Sequence, residues 1–275
     1  MLVSDVHFPK DLAEAFGLLK EYPDALVWAG GTDILREQGA IGLDLPRRIV
    51  CVDQLPELRK AGLTERFLEI GAAVTVAEVL ELGETAIPPL LSDALKGIGN
   101  PAIRNLATLG GNLACPTRFM DAWPALACLD ALVEFRDQGG AAWFNVNRFV
   151  GEWGAPAIPR GGLITRVRVP LERWDAVALW KIGQSDYPSP DTAVFAFAAR
   201  VDKGLLTEFR LAFAGTIALR IRSLETRIIG RSLPLSGKER LAFGQEYRSL
   251  AETLPPGQAQ RFGSLVDGAL DMLAG

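Results

Sequence analysis

Three features of the sequence predict an α+β chain. Strand-like and helix-like segments are interleaved through the first part of the chain. Three long strand-like segments follow Pro170, and charged helical segments come after them. At ~150 residues per domain, 275 residues make roughly two domains. Apolar residues are 49% of the chain, enough for a large core and too many for a disordered one.

The elements justify that class in order. Asp11 to Lys20 carries Leu12, Ala15, Phe16 and Leu19 at helical spacing, bracketed by Pro9 and Pro23. Ala25 to Trp28 reads as a short buried strand running into Gly30-Gly31-Thr32-Asp33, with a short helical segment expected at Ile34–Gln38. Ile49–Val52 and Phe67–Ile70 read as strands. Thr75 is the expected N-cap of a helix over Val76–Leu82, with Glu78 completing a capping box. A second helix is expected over Leu90–Ile98, then a turn-rich segment at Gly110-Gly111, an apolar stretch from Ala125 to Glu134, and an extended segment beginning at Trp143–Val146. Leu163–Val169 alternates as a strand. Ala176–Ile182, Ala193–Val201 and Leu205–Ala214 are the expected strands of an antiparallel sheet, followed by helices at Ile217–Ile229, Lys238–Leu254 and Gln258–Leu273.

Composition excludes several kinds of chemistry. The net charge of −4 (29 basic against 33 acidic residues) gives no electrostatic reason to expect nucleic acid. No apolar run reaches the ~18 residues of a membrane span, and the N-terminal segment lacks the pattern of a secretory signal. A structural zinc site or an iron–sulfur cluster needs about four ligands. Cys51, Cys115, Cys128 and His7 are scattered, so this chain is expected to hold neither. Three cysteines give no disulfide framework, which predicts a reducing, cytoplasmic setting.

Two segments are candidate ligand loops. A strand ending in Gly30-Gly31 turns sharply, and such a turn can aim N–H groups at phosphate oxygens, with Thr32 adding a hydroxyl; a plain helix entry capped by Thr32 or Asp33 is the alternative. The second pair, Gly110-Gly111, lies between Thr108, a donor to phosphate or carbonyl, and Asn112, which suits a ring edge or a ribose. Asp121 follows nine residues later and by itself reads as a helix N-cap. Lys181 ends an apolar strand, where it is a solvated edge residue or a charge beside a cofactor. Gly97–Ala102 fits GxGxxA but follows a helix and contains Pro101, so it is not a Rossmann turn.

Taken together these elements resemble the FAD-binding medium subunits of molybdenum hydroxylases, including those of carbon monoxide dehydrogenase and bacterial xanthine dehydrogenases. Ala29-Gly30-Gly31-Thr32-Asp33-Ile34 is similar to the family's AGGTDL. Ile103 through Asn112, with Asp121 nine residues on, resembles its IRNxATxGGN element. Leu68–Ala72, Leu163–Thr165 with Val169-Pro170, and Lys181–Gln184 resemble three further family elements in the correct order. The resemblance implies a two-lobed FAD-binding domain (PCMH-like, of the vanillyl-alcohol-oxidase type) over 1–172, with lobe one about 1–56 and lobe two about 57–172. A C-terminal α+β domain with a small antiparallel sheet and helices would occupy 173–275.

Carried over by position, Val27, Trp28, Ala29, Gly30, Gly31, Thr32, Asp33 and Ile34 would hold the FAD pyrophosphate. Thr108, Leu109, Gly110, Gly111 and Asn112 would form the second FAD loop. Asp121 would hydrogen-bond FAD, Ile164 would pack on it, and Lys181 would approach the flavin. No catalytic acid or base and no metal ligand is implied. The chain departs from the family at Arg118-Phe119-Met120, at Gly162, where a glutamate is common, and at Gln184–Tyr187. The implied activity is that of an FAD-dependent oxidoreductase subunit. It would take electrons from an iron–sulfur partner, in a hetero-oligomer with a molybdopterin-containing large subunit, and pass them to NAD+, a quinone or another acceptor. The rivals are a structural subunit of the same fold that has lost FAD, and a self-sufficient FAD/NAD(P)H oxidoreductase.

Overall fold

A computed structural model describes residues 3–37, 45–115, 121–148, 158, 161–183, 192–215, 218–251, 254 and 256–273. The first lobe is a small parallel sheet. β1 (Asp5–His7) and β2 (Leu26–Trp28) both pair with β3 (Arg48–Cys51), in the order β1-β3-β2. Parallel neighbours need crossover connections, which α1 (Leu12–Glu21) and α2 (Thr32–Glu37) supply. Asp11 caps α1 by accepting from the Glu14 N–H at 2.8 Å. The stripe Leu12, Ala15, Phe16 and Leu19 is buried with Val50 and Val52, as the helical spacing requires. α2 starts at Thr32, ahead of the expected Ile34, because the helix begins directly at the glycine turn.

The second lobe is an antiparallel sheet of β4 (Ala61–Leu63), β5 (Phe67–Gly71), β6 (Leu132–Asp137), β7 (Gly140–Asn145) and β8 (Leu163–Pro170), in the order β4-β5-β8-β6-β7. Among the described residues five helices lie between β5 and β6: α3 (Val76–Glu81), α4 (Pro89–Lys96), α5 (Pro101–Arg104), α6 (Leu109–Ala114) and α7 (Trp123–Cys128). The expected capping box is present: the Thr75 hydroxyl accepts from the Glu78 N–H and the Glu78 carboxylate accepts from the Thr75 N–H. Leu68, Ile70, Val133, Val167 and Val169 on the sheet bury against Leu90, Leu91, Trp123 and Leu126 on the helices. Trp143–Val146 does not begin a strand. Trp143–Asn145 closes β7, the second arm of a hairpin with β6, because the register pairs Trp143 with Glu134 and Phe144 with Val133, and Val146 opens a short 3-10 turn.

The third sheet is antiparallel: β9 (Ala176–Ile182), β10 (Ala193–Asp202), β11 (Leu205–Ala214) and β12 (Ala218–Arg220), in the order β12-β11-β10-β9. Its two central strands are buried on both faces, and the faces differ in size. Phe195, Phe197, Phe209 and Phe213 face a core with Tyr247 and Phe262 from α9 (Gly237–Ala251) and α10 (Pro256–Asp271), joined by α8 (Arg222–Ile228). Ala196, Ala198, Ala212 and Ala214, on the other face, belong to the second lobe's core and let α7 approach closely. The helix expected over Ile217–Ile229 is split. Ala218–Arg220 pairs with the edge of β11, and α8 begins only after Ile221, whose backbone is extended. Among the described residues no helix is long and apolar enough to cross a membrane.

Candidate functional site

The site lies where the two lobes and the third sheet meet. β2 is an edge strand, and every residue from Ala25 to Ile34 is half-buried, so an apolar strip lines the lobe junction without being sealed into a core. Val27 and Ala29 pack on the first-lobe core. The two glycines that follow have different reasons to lack a side chain. A Cβ on Gly30 would lie 1.9 Å from the Leu106 carbonyl oxygen, so the lobes touch there backbone to backbone. Gly31 has φ +67°, and a Cβ on it would lie 2.2 Å from the Trp28 ring. That turn opens α2, whose first backbone bond runs from the Leu35 N–H to the Gly31 carbonyl at 3.0 Å. Thr32, Asp33 and Ile34 thus stand in the first helical turn, at the positive end of the helix.

The second glycine pair is not a turn. Gly110 and Gly111 lie inside α6, capped by Thr108, which is buried and accepts from the Gly111 N–H at 3.0 Å. The Leu109 N–H donates to the Val74 carbonyl at 3.3 Å and the Gly110 N–H to the Ala72 carbonyl at 3.0 Å. These amides serve the chain itself, which leaves the Asn112 side chain and the surface at Gly111 as what this segment offers a ligand. Gly110 is required because a Cβ would lie 2.6 Å from that of Ala72, and Leu109 is a core residue. Gly111 is exposed, so the surface of α6 beside Asn112 is flat. The Asn112 Oδ1 accepts from the Ala122 N–H at 3.1 Å and ties α6 to the start of α7.

Asp121 and Lys181 meet at 3.0 Å, with both side chains nearly buried. The ammonium also donates to the Gly97 carbonyl at 2.8 Å, linking β9 to the end of α4. Burial pushes the Asp121 carboxyl up, Lys181 opposes that, and the nearby charge of Asp33 adds to it; the net direction is upward. Asp33 accepts from the Cys115 thiol at 2.9 Å and pairs with Arg36 at 2.8 Å, so α2 is joined to the end of α6.

The structure thus gathers Asp33, Asn112, Asp121 and Lys181 from four separate parts of the chain. Ile164 is not in this polar group; it lies in the second-lobe core, in register with Phe135. Beside it, a Cβ on Gly162 would lie 2.2 Å from the Phe135 ring, which leaves no room for a larger residue. Arg118-Phe119-Met120 and Gln184–Tyr187 lie outside the described residues. Sequence reasoning missed Gly97, Arg104 and Cys115. A lone cysteine gives no sign of a thiol–carboxylate contact, and the acceptors of Arg104 are main-chain oxygens, which residue type does not reveal.

This fold and site define a class. Residues 2–172 match the FAD binding domain in molybdopterin dehydrogenase, and the chain belongs to that family. Relatives of the chain include FAD-binding subunits of molybdenum hydroxylase-type oxidoreductase complexes, and FAD is the family's cofactor. The chain is 30% identical over 234 residues to the xanthine dehydrogenase FAD-binding subunit of Escherichia coli O157:H7, covering 84% of this chain and 80% of that protein. It is 27% identical over 242 residues to the nicotinate dehydrogenase FAD-subunit of Eubacterium barkeri, covering 84% and 81%. Among solved structures, a chain of the carbon monoxide dehydrogenase from Hydrogenophaga pseudoflava that lacks the Mo-pyranopterin moiety superposes with a TM-score of 0.84. That match has 21% identity over 99% of this chain and 96% of that one, and it speaks for the fold alone.

Proposed function

We propose that this chain binds FAD at the junction of the two lobes and the third sheet. There it would act as the electron-transfer subunit of a molybdenum hydroxylase-type complex. The observation that carries the reading is the convergence of Asp33, Asn112, Asp121 and Lys181 beside the half-buried strip from Val27 to Ile34. The residues present suit such a cofactor. Gly30 and Gly31 set a tight turn at the start of α2, where the positive end of a helix favours an anion. Asn112 offers an amide, the bare surface at Gly111 admits a flat group, and Lys181 places a positive charge at the same junction. FAD, when bound, supplies the exchange between one-electron and two-electron carriers. The protein's part is to bind and orient it and to tune the charge around it.

In this reading the unit over 1–172 and the unit over 173–275 share the cofactor, since Lys181 comes from β9. Electrons arrive from an iron–sulfur subunit, a molybdopterin-containing large subunit oxidises the substrate, and NAD+, a quinone or another acceptor takes the electrons away. The three cysteines form no disulfide, which suits a cytoplasmic setting. The test is to titrate FAD into the purified chain and follow the quenching of flavin fluorescence. About one FAD per chain, recovered on denaturation, is expected. Neither quenching nor recovered flavin would mean that the fold persists here without its cofactor.

A further inference from the structure

We propose that Arg104 is a positioning residue for this site: it fixes the turn whose Gly97 carbonyl orients Lys181. The inference rests on the FAD reading above. α4 ends at Lys96, and the last carbonyls of a helix have no partner within it. One guanidinium nitrogen of Arg104 gathers three carbonyls of that end, Lys96 at 3.1 Å, Ile98 at 3.1 Å and Gly99 at 3.0 Å. The turn is tight: Gly99 has φ +46°, and a Cβ on it would lie 2.8 Å from the Ile103 side chain. With its neighbours on both sides held by Arg104, the Gly97 carbonyl is left to accept from Lys181 at 2.8 Å.

The consequence is geometric. An ammonium has three donors. Gly97 takes one and Asp121 another, so the direction of the third is fixed by two anchors. If the Gly97 carbonyl swings away, Lys181 loses the anchor on the α4 side and follows Asp121 alone. Arg104 donates to three carbonyls of the turn and to no group of the Asp33–Asp121 cluster, so its effect on a ligand passes through Lys181. A planar guanidinium suits this task; a lysine ammonium there is a compact point donor on a flexible stem.

A double-mutant cycle on the full chain tests this. Arg104→Met, Lys181→Met and the double variant are compared by FAD dissociation constant and by the reduction potential of the bound FAD. Arg104→Met is expected to weaken FAD binding about tenfold and to shift the potential in the same direction as Lys181→Met. The double variant should bind no more weakly than Lys181→Met alone, since the two residues act along one line. Arg104→Lys should fall between wild type and Arg104→Met, and it carries the comparison with Lys181→Met should Arg104→Met not fold. Losses that simply multiply in the double variant would overturn the proposal. So would an Arg104 variant that melts at a lower temperature with affinity and potential unchanged. If the wild-type chain takes up no FAD, the reading of the site fails first and this inference falls with it.

Discussion

Two junctions among the described residues, both between the second lobe and the third sheet, bring charge together on opposite plans. At the first, α7 ends against the third sheet. Arg210 donates to the Cys128 carbonyl and Arg220 to the Ala127 carbonyl, which caps the negative end of the helix with two cations. Asp130 lies between them, 3.0 Å from Arg210 and 2.7 Å from Arg220, and Glu225 holds Arg220 at 2.8 Å while accepting from the Leu211 N–H. At the second junction, the candidate site, Asp121 has one cation among the described residues, Lys181, which it shares with the Gly97 carbonyl, and it feels the negative charge of Asp33. Burial would raise both carboxyls, but the arginines hold Asp130 below the usual carboxylate range while Asp121 stays above it. The first junction answers each charge from within the fold. The second leaves a carboxyl in an unfavourable setting, as positions shaped for a ligand commonly do.

The largest expected effect comes from breaking the first junction. Arg220→Met removes the arginine that pairs with Glu225, which stays buried, and takes one of three arginines from the half-buried Asp130 and one donor from the Ala127 carbonyl. Removing one member of a buried ion network typically costs about 3–5 kcal/mol. The guanidinium unfolding midpoint should fall accordingly. A loss below about 1 kcal/mol, the size typical of an exposed pair, would mean that the alanine face of β10 and β11 holds this junction without the arginines.

The second prediction uses pH to separate the junctions. Asp130 has a lowered folded pKa, so its contribution is present above the unfolded value of about 4 and is lost as pH falls through the folded one. Asp121 has a raised folded pKa, so its contribution is full below about 4 and is lost as pH rises through the folded value. Asp130→Asn should therefore lower stability at neutral pH and flatten its decline in acid. Asp121→Asn should leave neutral-pH stability unchanged or raised, and remove a loss that sets in as pH rises from about 4. Unfolding free energies measured from pH 3 to pH 8 check both slopes, and two slopes of the same sign would erase the distinction.

How far each junction was legible in the sequence follows from how local its signals are. The Thr75–Glu78 box and strands β9, β10 and β11 follow from spacing over a few residues, and the structure places them where the pattern does. Asp33, Asn112, Asp121 and Lys181 were legible through resemblance, and the fold brings them together. β12 was hidden because three residues on a sheet edge have no period to read, and Arg220 looked like one more charge on a helix. α6 was hidden because Gly110-Gly111 reads as a turn in isolation; its helicity comes from Thr108 and from the carbonyls of Ala72 and Val74, more than thirty residues away. Arg104 was unassigned because its acceptors are main-chain oxygens, which leave no mark on residue type.

The smallest effect is the sharpest probe of the second junction, since two glycines that look alike in sequence should respond oppositely. Gly30→Ala forces a Cβ against the Leu106 carbonyl at 1.9 Å, backbone that a rotamer change cannot relieve. Overpacking of that kind costs about 1–3 kcal/mol, so both stability and FAD affinity should fall. Gly111→Ala places its Cβ on an exposed helix surface, where the nearest neighbour is the Thr108 hydroxyl at 2.9 Å. Alanine gains up to about 1 kcal/mol over glycine within a helix, and crowding of the cap takes back part of that gain. The cofactor-free chain should therefore keep its melting temperature or gain slightly, while FAD binding weakens because the flat surface beside Asn112 now carries a methyl group. A Gly111→Ala chain that binds FAD as tightly as wild type would place the cofactor away from α6 and leave the site to the Gly30–Gly31 turn and Lys181.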